Sequence, residues 1–331
     1  MIHKRVMILI LLFLFVGNSY ALDLAACDGT ILEGGISHYD LQATADKVDA
    51  LRKSLKEVAD ADTIREELAS IAIDVLEAAI NAYSRGDSEQ QHKLQDYYKK
   101  RLNDSLWRMG YWAKNDNQRA SIASAWVYHW GLKAEVDTIK ACEYYQHASH
   151  AIAAASFQYS LCLSVSQPEL SIELLKMSAQ SGDPVAQETI GRLCIEGQQQ
   201  DKQCALEYFC LAARQGRSSS ASLAGWIAMD QASAEAQKIA RTYLEYASYK
   251  GNLAAQNNLG KFLELSQPEK AFQWYEKAAE SGFAAAQLNI ARAYAAGIGV
   301  VENKQQAILW AKKASDQGLK EAGQLLAWLE R

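Results

Sequence analysis

Apolar residues recur at helical spacing along most of the chain. Ile190 and Leu193, Leu259 and Phe262, and Ile290 and Tyr294 stand three or four positions apart with polar residues between them, the pattern of helices that bury one face. Nearer the N-terminus, Leu41, Val48, Leu51, Leu55 and Val58 lie close to a heptad, which predicts a helix beginning at Asp40. A second helix is expected from Asp62 to Tyr83 and a third from Glu89 to Lys114, with a break near Gly86. Three prolines in 331 residues leave little to interrupt helices. The expectation is an all-α chain.

The apolar pattern is itself periodic. Gly182, Gly216, Gly251, Gly282 and Gly318 each follow an Ala-rich amphipathic segment, at separations of 34, 35, 31 and 36 residues. Lys176-Met177-Ser178-Ala179-Gln180-Ser181-Gly182 and Lys277-Ala278-Ala279-Glu280-Ser281-Gly282 show how closely the surroundings repeat. Each glycine sits where a helix must end in a left-handed residue, a conformation without penalty when there is no Cβ. The next helix carries Ala186-Gln187, Ala255-Gln256 or Ala286-Gln287, then a small residue at Gly191, Gly225, Gly260 or Ala291 that permits close helix approach.

The final unit carries the pattern in full, with Gly297-Ile298-Gly299-Val300, Ala307, Trp310 and Lys312-Lys313-Ala314 before Gly318. It resembles the Sel1-like repeat of the tetratricopeptide-like superfamily. The resemblance implies a right-handed α-α solenoid of helical hairpins. Two units replace the glycine turn with Ser166-Gln167-Pro168-Glu169 and Ser266-Gln267-Pro268-Glu269, which are good helix starts. A degenerate copy is visible at Gly131, Ala141 and Tyr144-Tyr145. The expected organisation is a signal peptide over residues 1–21 and an N-terminal helical region over 22–116, serving as a cap or as decayed repeats. About six repeats would follow over 117–318, with a capping helix over 319–331 whose Leu325, Leu326, Trp328 and Leu329 cover the last repeat.

The N-terminus changes the picture of location. His3-Lys4-Arg5 precedes 11 apolar residues, Val6 to Val16, and Ser19-Tyr20-Ala21 gives a small-x-small site, so cleavage is expected after Ala21. The run is too short for a permanent span. Leu24-Ala25-Ala26-Cys27 resembles a lipobox, a competing reading in which Cys27 is lipidated. Residues 1–21 hold Lys4 and Arg5 and no acidic residue, so their removal takes the net charge from -5 to -7. That balance argues against nucleic acid or an anionic membrane as partner, and no later stretch is apolar enough to span a bilayer.

All six cysteines follow Ala21, and in an exported chain an even count permits three disulfides. Cys194 and Cys204 flank the turn at Gly197, where the end of one helix faces the start of its partner. Cys142 and Cys162 are placed similarly in neighbouring antiparallel helices, so both pairs are disulfide candidates against free buried thiols. Cys27 and Cys210 are left over, and no Cys-x-x-Cys motif occurs.

Candidate chemistry is sparse. His147 and His150 share a spacing without a third ligand, so no metal or cofactor is expected. Gly297-Ile298-Gly299 lacks the preceding strand of a nucleotide loop, and the common hydrolase signatures are missing. Arg192, Lys261 and Arg292 stand ten residues after a repeat glycine, with Thr189, Asn258 and Asn289 three positions earlier. Trp226 takes the basic position in the unit between. These seven residues form a candidate partner-binding stripe, against the plainer reading of a solvated helix face or, for Trp226, of core.

The resemblance implies a non-enzymatic scaffold for a protein or peptide, periplasmic or secreted, acting in envelope assembly, signalling regulation or host interaction. Two rivals stand beside it. One is cell-wall-related β-lactam or peptidoglycan binding or hydrolysis, as linked to cysteine-rich Sel1-like proteins. The other is a membrane-anchored lipoprotein assembly factor that depends on Cys27.

Overall fold

A computed structural model describes residue 27 and residues 39–54, 61–132, 135–196 and 200–331. The signal sequence, the Gly197 turn, Leu55 and Val58 lie outside the described residues. Among these there are seventeen α-helices and no strand. They fall into two compact units, one with its described residues within Leu32–Arg217, the other within Ser218–Arg331 together with Cys27.

The first unit opens with α1 (Leu41–Ser54), α2 (Ala61–Arg85), α3 (Ser88–Arg101) and α4 (Leu106–Lys114). The third expected helix is therefore two. Leu102 leaves helical geometry, with φ -132°, and Asn103–Ser105 forms a 3-10 turn. Three hairpins follow: α5 (Gln118–His129) with α6 (Thr138–Ala148), α7 (Ala153–Leu163) with α8 (Pro168–Gln180), and α9 (Pro184–Glu196) with α10 (Lys202–Arg214). The N-terminal helices share one core with α5, built on Leu76, Leu94, Tyr98, Met109 and Val127.

The second unit holds α11 (Ser218–Met229) with α12 (Ala234–Tyr249), α13 (Leu253–Leu263) with α14 (Pro268–Glu280), and α15 (Ala284–Ala296) with α16 (Lys304–Asp316). The lone α17 (Lys320–Leu329) packs on α16. Leu329 is buried there and Leu325 and Leu326 partly so, against Ala307 and Ala311. Trp328 departs from expectation: it is 63% exposed, because it lies on the face of α17 turned away from those alanines.

Helix starts and stops follow from local chemistry. Asn117, Asp137, Asp201 and Asn252 each accept a hydrogen bond from a first-turn N–H, a cap contributing about 1 kcal/mol. Pro168 and Pro268 open α8 and α14 at positions that need no N–H. The five repeat glycines have φ between +83° and +93°, while Asp116, at φ +60°, takes the same place before α5.

Two contacts recur along the chain, the first joining a hairpin to the one before it and the second closing the hairpin itself. The Ala-Gln glutamine folds back onto the end of the preceding helix: Nε2 of Gln187, Gln256 and Gln287 donates to the carbonyls of Ala179, Ser248 and Ala279 at 3.0, 3.1 and 3.2 Å. In α7 Ser156 does the same through its hydroxyl, to the carbonyl of Ser149. The small residue further along lets an apolar ring or branch press on the helix backbone. A Cβ at Gly191, Gly225 or Gly260 would lie 2.7, 2.6 or 2.5 Å from Phe209, Leu244 or Tyr275. Gly299 is equally constrained, since a Cβ there would meet the Pro268 carbonyl oxygen at 2.1 Å; its turn is seated on the preceding hairpin.

Candidate functional site

The candidate stripe divides when its side chains are placed. Of the three polar positions seven after a repeat glycine, Thr189 and Asn289 are spent inside the fold. Thr189 Oγ1 donates to the Val185 carbonyl one turn back, at 2.8 Å. Asn289 is buried and its Nδ2 donates to Asn257 Oδ1 at 2.8 Å, tying α15 to α13. Asn258 accepts only a 3.4 Å contact from its neighbour Asn257. In contrast, Arg192, Trp226, Lys261 and Arg292 are all exposed.

Arg192 is nevertheless engaged. Its Nε and Nη2 donate to Glu188 Oε1 at 3.1 and 2.8 Å, and the other oxygen of Glu188 pairs with Arg217. Glu188 is 8% exposed and Arg217 15%, so this is a largely desolvated pair, with Arg192 completing it from the surface. Arg217 also donates to the carbonyls of Ser84 at 2.8 Å and Tyr83 at 3.4 Å, at the end of α2. The sequence carried one signal of this, the four-residue spacing of Glu188 and Arg192; Arg217 and Tyr83 are too far apart to be linked by any local pattern.

Lys261 and Arg292 are different. Neither makes an ion pair among the described residues, and together they line a cavity of about 260 Å³ in the second unit, between α13, α14, α15 and the turn at Ile298. Phe272, Ala271 and Ile298 supply an apolar wall. Tyr275 donates its hydroxyl to Glu264 Oε2 at 2.7 Å beside them. Burial, then the Glu264 contact, pushes the Tyr275 hydroxyl far above its ordinary pKa, so it stays a neutral donor throughout the physiological range. The cavity thus presents two cations over an apolar floor, with one carboxylate already occupied by a tyrosine. That arrangement suits an anionic side chain or chain end of a peptide.

The remaining candidates are placed without forming a site. Cys142 and Cys162 are bridged, as are Cys194 and Cys204, each with Cα atoms 6.0 Å apart. Cys27 and Cys210 are disulfide-bonded too, and no described cysteine is free. His129 is hydrogen-bonded to Tyr145 at 3.2 Å and held below its ordinary pKa by burial, while Trp130 packs on Tyr83 and Trp126. His147 and His150 belong to no cluster of three or more metal-type ligands among the described residues. No helix among the described residues is long and apolar enough to cross a membrane.

These hairpins have known counterparts. The Sel1 repeat family model matches residues 119–151, 149–183, 184–216, 253–283 and 284–319. The hairpin of α11 and α12 is the one it passes over, where Ser220-Ala221 replaces the Ala-Gln pair and α12 runs to 16 residues. No curated protein sequence matches the chain. Among solved structures, a protective antigen of uropathogenic Escherichia coli displaying an SLR fold aligns with a TM-score of 0.64 at 21% identity, over 87% of this chain and 68% of its own. A Sel1 repeat protein from Oxalobacter formigenes aligns at 20% identity with a TM-score of 0.49, over 73% of this chain and 96% of its own. With five matched repeats laid out as stacked helical hairpins, the chain belongs to the Sel1 repeat family.

Proposed function

We propose that this chain is an extracytoplasmic scaffold that captures a protein or peptide partner through the surface around Lys261 and Arg292. Sel1 repeats generally serve as protein-protein interaction scaffolds, in which a conserved packing frame carries freely variable surface residues. The observation that carries the reading is the pair of cations without an ion pair, converging on one cavity with an apolar wall. A surface cation at a repeated position is ordinarily neutralised nearby, as Arg192 is by Glu188. Two left open at one cavity fit an anionic group of a partner.

The extracytoplasmic part of the proposal draws support from the cysteines. Disulfides persist in oxidising compartments, and here no described cysteine is a free thiol. The basic and apolar N-terminal sequence is of the secretory kind.

The test is capture. The protein, tagged at its C-terminus, is crosslinked in the cell envelope of its source, and co-purifying proteins are identified by mass spectrometry. The same is done for the double variant Lys261→Glu, Arg292→Glu. The expected result is a reproducible partner whose recovery falls about tenfold or more with charge reversal, since like charge opposes an anionic ligand. Unchanged recovery in a variant with native circular dichroism would overturn the assignment of the surface.

A further inference from the structure

A second cleft lies in the first unit, where α4 meets α5 and α6, and nothing in the repeat frame accounts for it. Its volume is about 530 Å³, in the range of ligand pockets. Trp107 and Tyr111 stand one turn apart on α4, 72% and 56% exposed, with rings 6.3 Å apart and only 16° from parallel. On the α5 and α6 side, Tyr128 and Tyr144 stack at 5.9 Å and 8°. Gly110 lets the α4 backbone approach this second pair, since a Cβ there would lie 3.2 Å from the Tyr144 hydroxyl. Stacked side by side, Trp107 and Tyr111 make a contiguous exposed apolar patch, and such patches mark interaction sites where single exposed side chains do not.

The polar groups of the cleft narrow the ligand. The Trp107 indole N–H, the Tyr111, Tyr128 and Tyr144 hydroxyls and the Lys114 ammonium can all donate, and none of these five residues has a side-chain hydrogen bond among the described residues. Against them stands one pure acceptor, the Glu135 carboxylate. A ligand matched to this set is apolar in its body and rich in acceptors. A sugar does not fit well, because each hydroxyl donates as well as accepts and needs acceptors in return. A polyproline II segment fits: it has no internal hydrogen bonds, its carbonyls all point outward, and proline has no N–H to satisfy. Lys114 and Glu135, both without an ion pair, complement an acidic residue and a basic residue flanking the prolines.

We propose that the cleft framed by Trp107, Tyr111, Tyr128 and Tyr144 docks a proline-rich segment in the polyproline II conformation. Near-parallel rings grip the pyrrolidine faces, and the tyrosine and tryptophan donors take the carbonyls. The segment is already extended before binding, so little conformational entropy is lost.

The experiment is fluorescence anisotropy with fluorescein-labelled decaproline, using the full chain with its disulfides intact. Saturable binding is expected, weakened about tenfold or more by Trp107→Ala and by Tyr111→Ala, the size of loss typical of central aromatic anchors. Both side chains are exposed, so circular dichroism of the variants should match the parent. Trp107→Phe, which keeps a ring but loses the donor, should bind between the two. Lys261→Glu should bind as the parent does, which separates this cleft from the partner surface of the second unit. No saturable binding at millimolar decaproline, or equal binding by Trp107→Ala, would overturn the proposal. So would displacement of the probe by chitohexaose, which would mark the cleft as a saccharide site.

Discussion

Gln215 donates its side-chain amide to Oε1 of Gln187 at 2.9 Å, so the residue before one repeat glycine completes the hydrogen bonding of the glutamine that follows the glycine before it. Gln317 does the same for Gln287 at 2.8 Å. In the hairpin of α13 and α14 the equivalent residue is Ser281, too short to reach, and the buried Gln256 Oε1 has no partner.

Ser281→Gln should therefore stabilise the protein, by about 1 kcal/mol for one hydrogen bond to a buried acceptor. Urea unfolding followed by circular dichroism measures it, as a raised midpoint with an unchanged slope. A midpoint at or below that of the parent would mean that Gln256 Oε1 is satisfied in some other way.

Gly260→Ala should be costly although alanine favours helices. Its methyl would sit 2.5 Å from Tyr275 Cε1, and relief requires Tyr275 to move off α13 and away from Glu264. A loss of about 1–3 kcal/mol is expected, as for other overpacked cores. The control is Ala291→Gly at the same position of α15, which removes a methyl already accommodated and should lower stability only through helix propensity and packing. If Gly260→Ala raises the unfolding midpoint, the close approach is not a constraint.

Much of this fold was legible because each repeated residue answers a local demand. The glycine period marked the helix ends, and Gly191, Gly225 and Gly260 marked the close approaches. The Ala-Gln pair was visible as a motif, but its hydrogen bond to a carbonyl eight residues back was not, because side-chain direction is not written in spacing. The stripe was half legible. Spacing identified which positions share a face, yet it could not tell that Asn289 is spent on Asn257 while Arg292 is left open, since each outcome depends on a neighbouring repeat. The break at Leu102 and the exposure of Trp328 escaped for a similar reason: apolar residues look alike until their partners are placed.

The two bridges of known pairing should differ in a predictable direction. Cys142 and Cys162 are 20 residues apart and Cys194 and Cys204 are 10 apart. If the bridges act by restricting the unfolded chain, the longer loop is worth about 0.6 kcal/mol more, the increment for a doubling of length. Replacing each pair by serines and comparing urea midpoints tests this. Loss in the reverse order would place the difference in the native state instead.

Arg217 offers the sharpest test of how the N-terminal helices are held. Replacing it by methionine keeps much of the packing volume but takes from Glu188, 8% exposed, its desolvated partner while the surface contact with Arg192 stays, and removes the donors to the carbonyls of Tyr83 and Ser84. Losing one side of a desolvated pair costs about 3–5 kcal/mol when no other partner remains, and the retained Arg192 contact places this variant below that. The loss should also be local. Hydrogen exchange of the last turn of α2, where Gly86 N–H donates to the Tyr83 carbonyl and Asp87 N–H to that of Ala82, should quicken well before the helices of the second unit respond. Glu188→Gln, which removes the charge but leaves Arg217 able to reach the carbonyls, should lower global stability with less effect on that turn. If Arg217→Met leaves α2 fully protected, its last turn is held by apolar packing, Tyr83 on Trp126 included, and the ion pair serves to neutralise Glu188.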